Sequence, residues 1–423
     1  MASGVYGLRL LAQPRVQRAA LAIAAVVVLL YRLAQFVYWV GRIQWGYDFS
    51  AYWAAANRLI AGSSPYQPAQ LAATYSPQQQ FLYLYPPPLA AAVTPLAGLA
   101  PSDYHVANWA WFAVGAVVLT GTVYAISRSE RLSERFDLLA GRRGWLWLLV
   151  GALAFPPVVA ELVLGNVHLL LLGLLGLAWL GVRRGGTRGD ALAGIGIGLA
   201  TIIKVFPGLL IVWLLVTRRF RAAGLAVLAA AVVALATLPI TGVQPWLDYP
   251  RVLANLGSPV DTADTLAPTV WLAPLLGFDV ARLLVDAAGL ALVVLLGLAS
   301  RGRAGATTAA SFGAAVATSI LVAPALYQHY LAILVLAFLL GLSAGVRLRW
   351  LALAYLLMWG GQQPALGDLA WVVNRALPTA GALVLLGSLV RVALGRAQPA
   401  VPAFGGNGTA PGTPSSWPIV TNR

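Results

Sequence analysis

The chain reads as an all-α polytopic membrane protein of about 10–12 transmembrane helices, and three observations point there. Of its 423 residues, 60% are hydrophobic and only 10% are charged, where a soluble domain carries about 25% charged residues. The apolar residues gather into runs close to the roughly 20 needed to cross a bilayer. The basic residues fall in alternate gaps between those runs, the pattern of cytoplasmic loops. A water-soluble enzyme is excluded on composition alone.

The apolar runs, in order, are Ala19–Val40, Tyr104–Ile126, Gly144–Val163, Asn166–Val182, Ala191–Ile203, Val205–Thr217, Ala222–Pro239, Val280–Ser300, Ala306–Ala323, His329–Gly345, Trp350–Gln362 and Ala376–Leu394. With the N-terminus inside, alternate loops hold 21 of the 28 basic residues. The opposite side holds four, Arg42, Arg58, Arg251 and Arg375. Residues 1–18 then form a cytoplasmic N-terminus and 19–394 a single transmembrane domain. Residues 395–423, rich in Pro, Gly, Ser and Thr, form a disordered cytoplasmic tail.

One pair of runs is too short for two spans. Arg183–Arg188 and Arg218–Arg221 both belong inside, yet each leg between them has about 13 residues, or roughly 20 Å of helix, against a core of about 30 Å. The chain is expected to enter, break near Lys204–Pro207 and return; the alternative, one long helix from Ala191 to Thr217, would put Arg218–Arg221 outside and invert every later loop, against the charge bias. A break of this kind survives in lipid only beside protein or a wet cavity. A polar cavity open to the outer face, with Lys204 at its floor, follows.

Two outer loops are long, 41–103 and 240–269. Within the first, Phe49–Ala61 has helical spacing, with Asp48 at its start and Gly62 as a stop. Tyr83–Pro101 suits a segment lying along the headgroups.

The net charge of +15 does not imply nucleic acid, because the basic residues sit in short loops and form no stripe on a soluble domain. There is no cysteine, so there is no disulfide or thiol nucleophile, and the three histidines, scattered along the chain, do not predict a His-rich metal cluster. No nucleotide-binding glycine motif, zinc-protease motif or Asp-x-Asp motif occurs. No metal or cofactor is expected.

Ionisable residues in or beside a membrane are functional candidates by default. On the outer side they are Asp48, Arg58, Glu161, His168, Lys204, Asp248, Arg251, Asp261, Asp264, His329, Asp368 and Arg375. Asp48 is either a helix cap or a carboxylate aimed into the cavity as a general base. Lys204 is the one lysine beside 27 arginines. It is either a snorkelling side chain or a buried point charge for an anion such as phosphate. Glu161, Asn166 and His168 lie across a tight outer turn, as local capping or as a polar wall of the cavity. His329 opens a helix after Pro324. Asp279 and Asp286 can simply pair with Arg282.

These residues carry a resemblance. Asp48-Phe-Ser-Ala-Tyr52-Trp53 followed by Gly62-Ser-Ser-Pro65-Tyr66 resembles the first outer loop of glycosyltransferase family 87. Tyr85-Pro86-Pro87, Glu161-Leu162 before Gly165, Ile203-Lys204-Val-Phe-Pro207 and Pro324 through His329 are similar to later stretches of that family. The chain departs from it at Gly165-Asn166-Val167-His168, where Gly-Gln-x-Asn is usual. The resemblance implies a GT-C enzyme of the bacterial plasma membrane with its site facing outward. Such an enzyme moves a sugar, typically mannose, from a polyprenyl-phosphate donor to a glycolipid or cell-envelope glycan acceptor. It implies Asp48 as catalytic base and Lys204 and His329 as donor-phosphate ligands. Tyr52, Arg58, Glu161, Asn166, His168 and Gln328 are the candidate substrate-binding residues. The rival reading is a transporter or flippase of a lipid-linked or anionic substrate, with Lys204 and Glu161 as its substrate or proton sites.

Overall fold

The computed structural model describes residues 14–76, 79–256, 265–360, 367, 369 and 372–395. The expected tail and the candidates Asp261, Asp264 and Asp368 lie outside the described residues. Within them the chain is helical, with no strand and one isolated bridge between Tyr75 and Leu256.

Helices α1 (Pro14–Trp39), α2 (Tyr47–Ile60), α3 (Pro87–Leu99) and α4 (Tyr104–Ser129) open the chain. They are followed by α5 (Trp145–Ala154), α6 (Pro156–Leu164), α7 (His168–Arg184), α8 (Gly186–Ile203), α9 (Leu209–Val216) and α10 (Phe220–Thr241). The last third holds α11 (Gln244–Ala254), α12 (Pro268–Leu276), α13 (Phe278–Ser300), α14 (Ala306–Leu321), α15 (Leu334–Ser343), α16 (Leu348–Leu357) and α17 (Leu377–Leu394). Five helical segments among the described residues are long and apolar enough to cross a membrane: Ala19–Trp39, Tyr104–Ser129, Phe220–Thr241, Phe278–Ser300 and Val372–Leu394. Helices α5 and α6 are apolar enough only as a pair, bent by 69° between them, the shape of a broken span or a re-entrant loop. Phe155-Pro156-Pro157 makes that bend, because proline cannot donate into the preceding turn. Arg32 of α1 reaches the freed end, its Nε donating to the Ala154 carbonyl at 3.1 Å. The other apolar runs fold as shorter helices.

The break expected at Lys204 is present. Helix α8 ends at Ile203 and Lys204 is extended, with φ −149° and ψ 132°. A single 3₁₀ turn, Phe206–Gly208, then leads into α9. Glycines hold α8 in place. A Cβ on Gly196 would fall 2.4 Å from the Leu174 carbonyl oxygen on α7, and one on Gly198 would fall 2.2 Å from that of Ala226 on α10. Small residues allow this close backbone contact between membrane helices. Helix α8 is thereby clamped on two faces, and its C-terminal end, which carries Lys204, is fixed with it.

The first long loop contains the expected helix, α2, which begins after Gly46 and ends before Gly62. Tyr83–Pro101 differs from expectation. Most of it is α3, whose Leu89, Ala90, Ala91, Val93 and Ala97 are buried, and it packs against α2 instead of lying on headgroups. The apolar periodicity of the segment suits either surface, and α2 supplies the partner. The two long loops are tied together. Tyr75 N–H donates to the Asn255 carbonyl at 3.0 Å, and its hydroxyl to the Val252 carbonyl at 2.6 Å. Arg282 pairs with Asp286 at 3.8 Å, the local arrangement anticipated.

At the far end of α7, arginine-bearing loops meet. Buried Glu130 accepts from Trp179 Nε1 and Arg183 Nε, each at 2.9 Å, and from the Ser343 hydroxyl. Arg135 donates to the Ser343 carbonyl. His168 opens α7 and Arg184 closes it. A 17-residue helix at 1.5 Å per residue, roughly 25 Å, therefore separates this arginine end from the Lys204 end.

Candidate active site

Asp48, Glu161, Asn166, His168, Lys204 and His329 come together at the end of the bundle covered by α2. Each arrives by a local device. Asp48 stands in the first turn of α2 but does not cap it; Gly46 takes the cap position and no side-chain cap bond forms. The carboxylate instead accepts from Asn166 Nδ2 at 2.9 Å, and the capping reading fails for that reason. Gly165 ends α6 with φ +70°, a left-handed conformation that favours glycine. The turn it makes brings Asn166 back beneath α2. Lys204 enters through the α8 break. His329 lies in a 3₁₀ turn, Gln328–Ile333, that leads into α15.

Asn166 sits at the centre. Its Oδ1 accepts from the Val167 N–H at 2.7 Å and from the Tyr85 hydroxyl at 3.1 Å. Its amide nitrogen must therefore face Asp48 and His329. That nitrogen carries two hydrogens, and His329 Nε2 lies 3.2 Å from it and 3.4 Å from Asp48 Oδ2. Trp111 Nε1 holds the Asn166 carbonyl at 3.1 Å. Burial pushes the Asp48 carboxyl up to about 6, with the Asn166 bond and the Lys204 charge opposing. Its side chain nonetheless keeps 22% exposure, so a substrate atom has access to it. Burial, and then the neighbouring Asp48 charge, raise the Tyr85 hydroxyl well above its ordinary value.

The Lys204 ammonium meets neutral partners. His168 Nε2 lies 3.0 Å away, the Tyr85 oxygen 3.5 Å, and the Tyr330 ring centroid 3.6 Å. Among the described residues no carboxylate forms an ion pair with it. Asp48 and Lys204 are joined through Asn166 and Tyr85, so residues 156 positions apart share one polar cluster. Glu161, His168 and His329 offer ligand atoms within 4.8 Å of one another, the geometry of a possible metal trio. The ammonium beside His168 Nε2 argues against that use, because it occupies the lone pair and would repel a divalent ion.

The remaining candidates lie around or outside this cluster. Tyr52 is buried, its ring 5.0 Å from that of Tyr85, and helps wall the site. Gln328 donates to the Gly360 carbonyl. Arg58 is a loop strut, donating from Nε to the Pro65 carbonyl at 3.0 Å. Asp248 accepts from Gln244 at 2.8 Å on the surface, and Arg375 donates to the Thr265 carbonyl at 3.1 Å. Tyr85 and Tyr330 were not among the sequence candidates. Tyr85 was signalled by Tyr85-Pro86-Pro87, and Tyr330 by its place next to His329.

The family profile described as glycosyltransferase family 87 matches residues 83–303, just over half of the chain. The chain belongs to glycosyltransferase family 87. The matched segment contains Tyr85, Glu161, Asn166, His168 and Lys204. Asp48 and His329 lie outside it, and the fold delivers them to the same place. Comparison with curated proteins gave no match. As a family 87 protein with an all-α polytopic fold, the chain is a membrane glycosyltransferase.

Proposed function

We propose that the chain transfers mannose from a polyprenyl-phosphate donor to a glycolipid or cell-envelope glycan acceptor on the outer face of the plasma membrane, with inversion. The observation that carries this reading is the pairing of a partly accessible carboxylate with an ammonium that has no ion pair among the described residues, in one cluster at the end of the bundle covered by α2.

The chemistry balances across these groups. The acceptor oxygen attacks the anomeric carbon while its proton passes to Asp48, and the carbon–oxygen bond to phosphate breaks with its electron pair. A β-linked sugar phosphate thus yields an α-linkage. General-base help contributes about 10²–10⁴-fold. The leaving group gains one negative charge as it departs, so it calls for a preformed cation more than for a proton. Lys204 supplies that cation, and His329 lines the same space. Tyr52, Gln328 and Asn166 shape the wall, while Arg58 serves by holding the loop that bears Tyr66.

The test is transfer by the full chain, purified in detergent, from a defined polyprenyl-phosphate mannose. Asp48→Asn is expected to lose transfer by at least about 10²-fold while keeping its fold. Turnover of that variant near the normal rate would overturn the base assignment. Movement of the lipid between leaflets with no new glycosidic bond would favour a flippase.

A further inference from the structure

We infer that Glu161 and His168 form a positioning relay that orients Lys204, and that neither touches the sugar. Both are buried, His168 at 0% and Glu161 at 1% exposure, and both carboxylate oxygens of Glu161 and both ring nitrogens of His168 already have partners within the protein.

The relay has a direction that its bonds impose. Glu161 Oε1 accepts from the backbone N–H groups of His168 at 2.5 Å and Leu169 at 3.3 Å, two of the free donors that open α7. Its Oε2 lies 2.9 Å from His168 Nδ1. With Lys204 as the cation of the proposed function, its N–H donates to Nε2, so Nε2 keeps its lone pair, Nδ1 carries the proton and Glu161 Oε2 accepts it. That lone pair faces Lys204 Nζ at 3.0 Å. Tyr330 fixes the imidazole from one side, ring centroids 4.0 Å apart, and covers the ammonium with the same ring.

A neutral imidazole between carboxylate and ammonium has a consequence. A lysine is a point charge on a flexible stem, and it needs an acceptor to hold it still. A carboxylate in direct contact would hold it but cancel its attraction for phosphate. The imidazole orients the ammonium and leaves its charge available.

The inference rests on the reading of Lys204 as the donor-phosphate cation, and the experiment separates the two. Binding of undecaprenyl phosphate to the full chain in nanodiscs is measured for wild type, Lys204→Ala, His168→Leu, His168→Gln, Glu161→Gln and the Lys204→Ala/His168→Leu double variant, each checked for thermal stability. Lys204→Ala and His168→Leu should each weaken binding about tenfold, the scale of one hydrogen bond to a charged group. The double variant should be no weaker than Lys204→Ala alone. His168→Gln should stay within about threefold of wild type, since its amide can take the Glu161 bond and offer an oxygen to Lys204. Glu161→Gln keeps the shape but donates to Nδ1. It puts the imidazole proton against the ammonium and should weaken binding as His168→Leu does, which keeps the test open if the leucine variant fails to fold. Additive losses in the double variant, or wild-type binding by Glu161→Gln, would overturn the relay while leaving Lys204 in its role. Wild-type binding by Lys204→Ala would overturn the reading of Lys204 itself.

Discussion

Replacing Asn166 with leucine is expected to move the acid limb of the pH–rate profile upward. The base must be ionised to act, so the rate should rise about tenfold per pH unit below the Asp48 midpoint and level off above it. In the native protein burial places that midpoint at about 6. The Asn166 Nδ2 donor, 2.9 Å from Asp48 Oδ2, favours the charged form. A hydrogen bond to a charged group is worth about 1.5–3 kcal/mol, and one pH unit corresponds to about 1.4 kcal/mol. Loss of the donor therefore raises the midpoint by about one to two units. The Asp48 side chain keeps 22% exposure, so water replaces part of the lost bond and the shift should lie near the lower end, giving a midpoint near pH 7. The assay is the initial transfer rate across pH with donor and acceptor saturating, in buffers of constant ionic strength. A limb that stays near 6 while the plateau falls would mean that Asn166 acts on substrate and not on the base. A downward shift would contradict the sign of the argument.

Two further substitutions probe the scaffold. Gly165→Ala forces a side chain onto a left-handed residue (φ +70°) and places its Cβ 2.4 Å from Asn108 Oδ1 and 2.8 Å from Phe49 Cβ; thermal melting should show a loss of about 1–2 kcal/mol, and transfer should fall at least tenfold through displacement of Asn166. Glu130→Ala strands the buried Trp179 N–H and removes the Arg183 partner, at a cost of about 1–3 kcal/mol seen as a lower melting temperature. Because it lies at the other end of α7, the transfer rate per folded molecule should stay within about twofold of wild type.

The helices and the site were legible in the sequence to different degrees. Composition and arginine spacing announced a helical membrane bundle, and the short legs flanking Lys204 announced the break, because a single long helix there would put Arg218–Arg221 on the wrong side. Asp48 and Lys204 stood out as ionisable groups where solvation is costly. What could not be read was which groups touch. Arg58 looked like a substrate residue because its charge stands in an outer loop, yet a backbone carbonyl at Pro65 claims it. Tyr85 and Tyr330 were not singled out in the sequence, and only the approach of separate helices reveals them as neighbours of the ammonium. Burial of Tyr83–Pro101 was hidden for a similar reason: an apolar face does not declare whether lipid or protein covers it.

That lysine is the single one in the sequence, and it stands in the cluster rather than on the surface. Among the side chains of the sequence, amine-directed reagents thus have a single lysine target, the ε-amino group of residue 204. A mass shift or an isotope label read at that amine reports on the cluster directly, without engineering a probe into the fold.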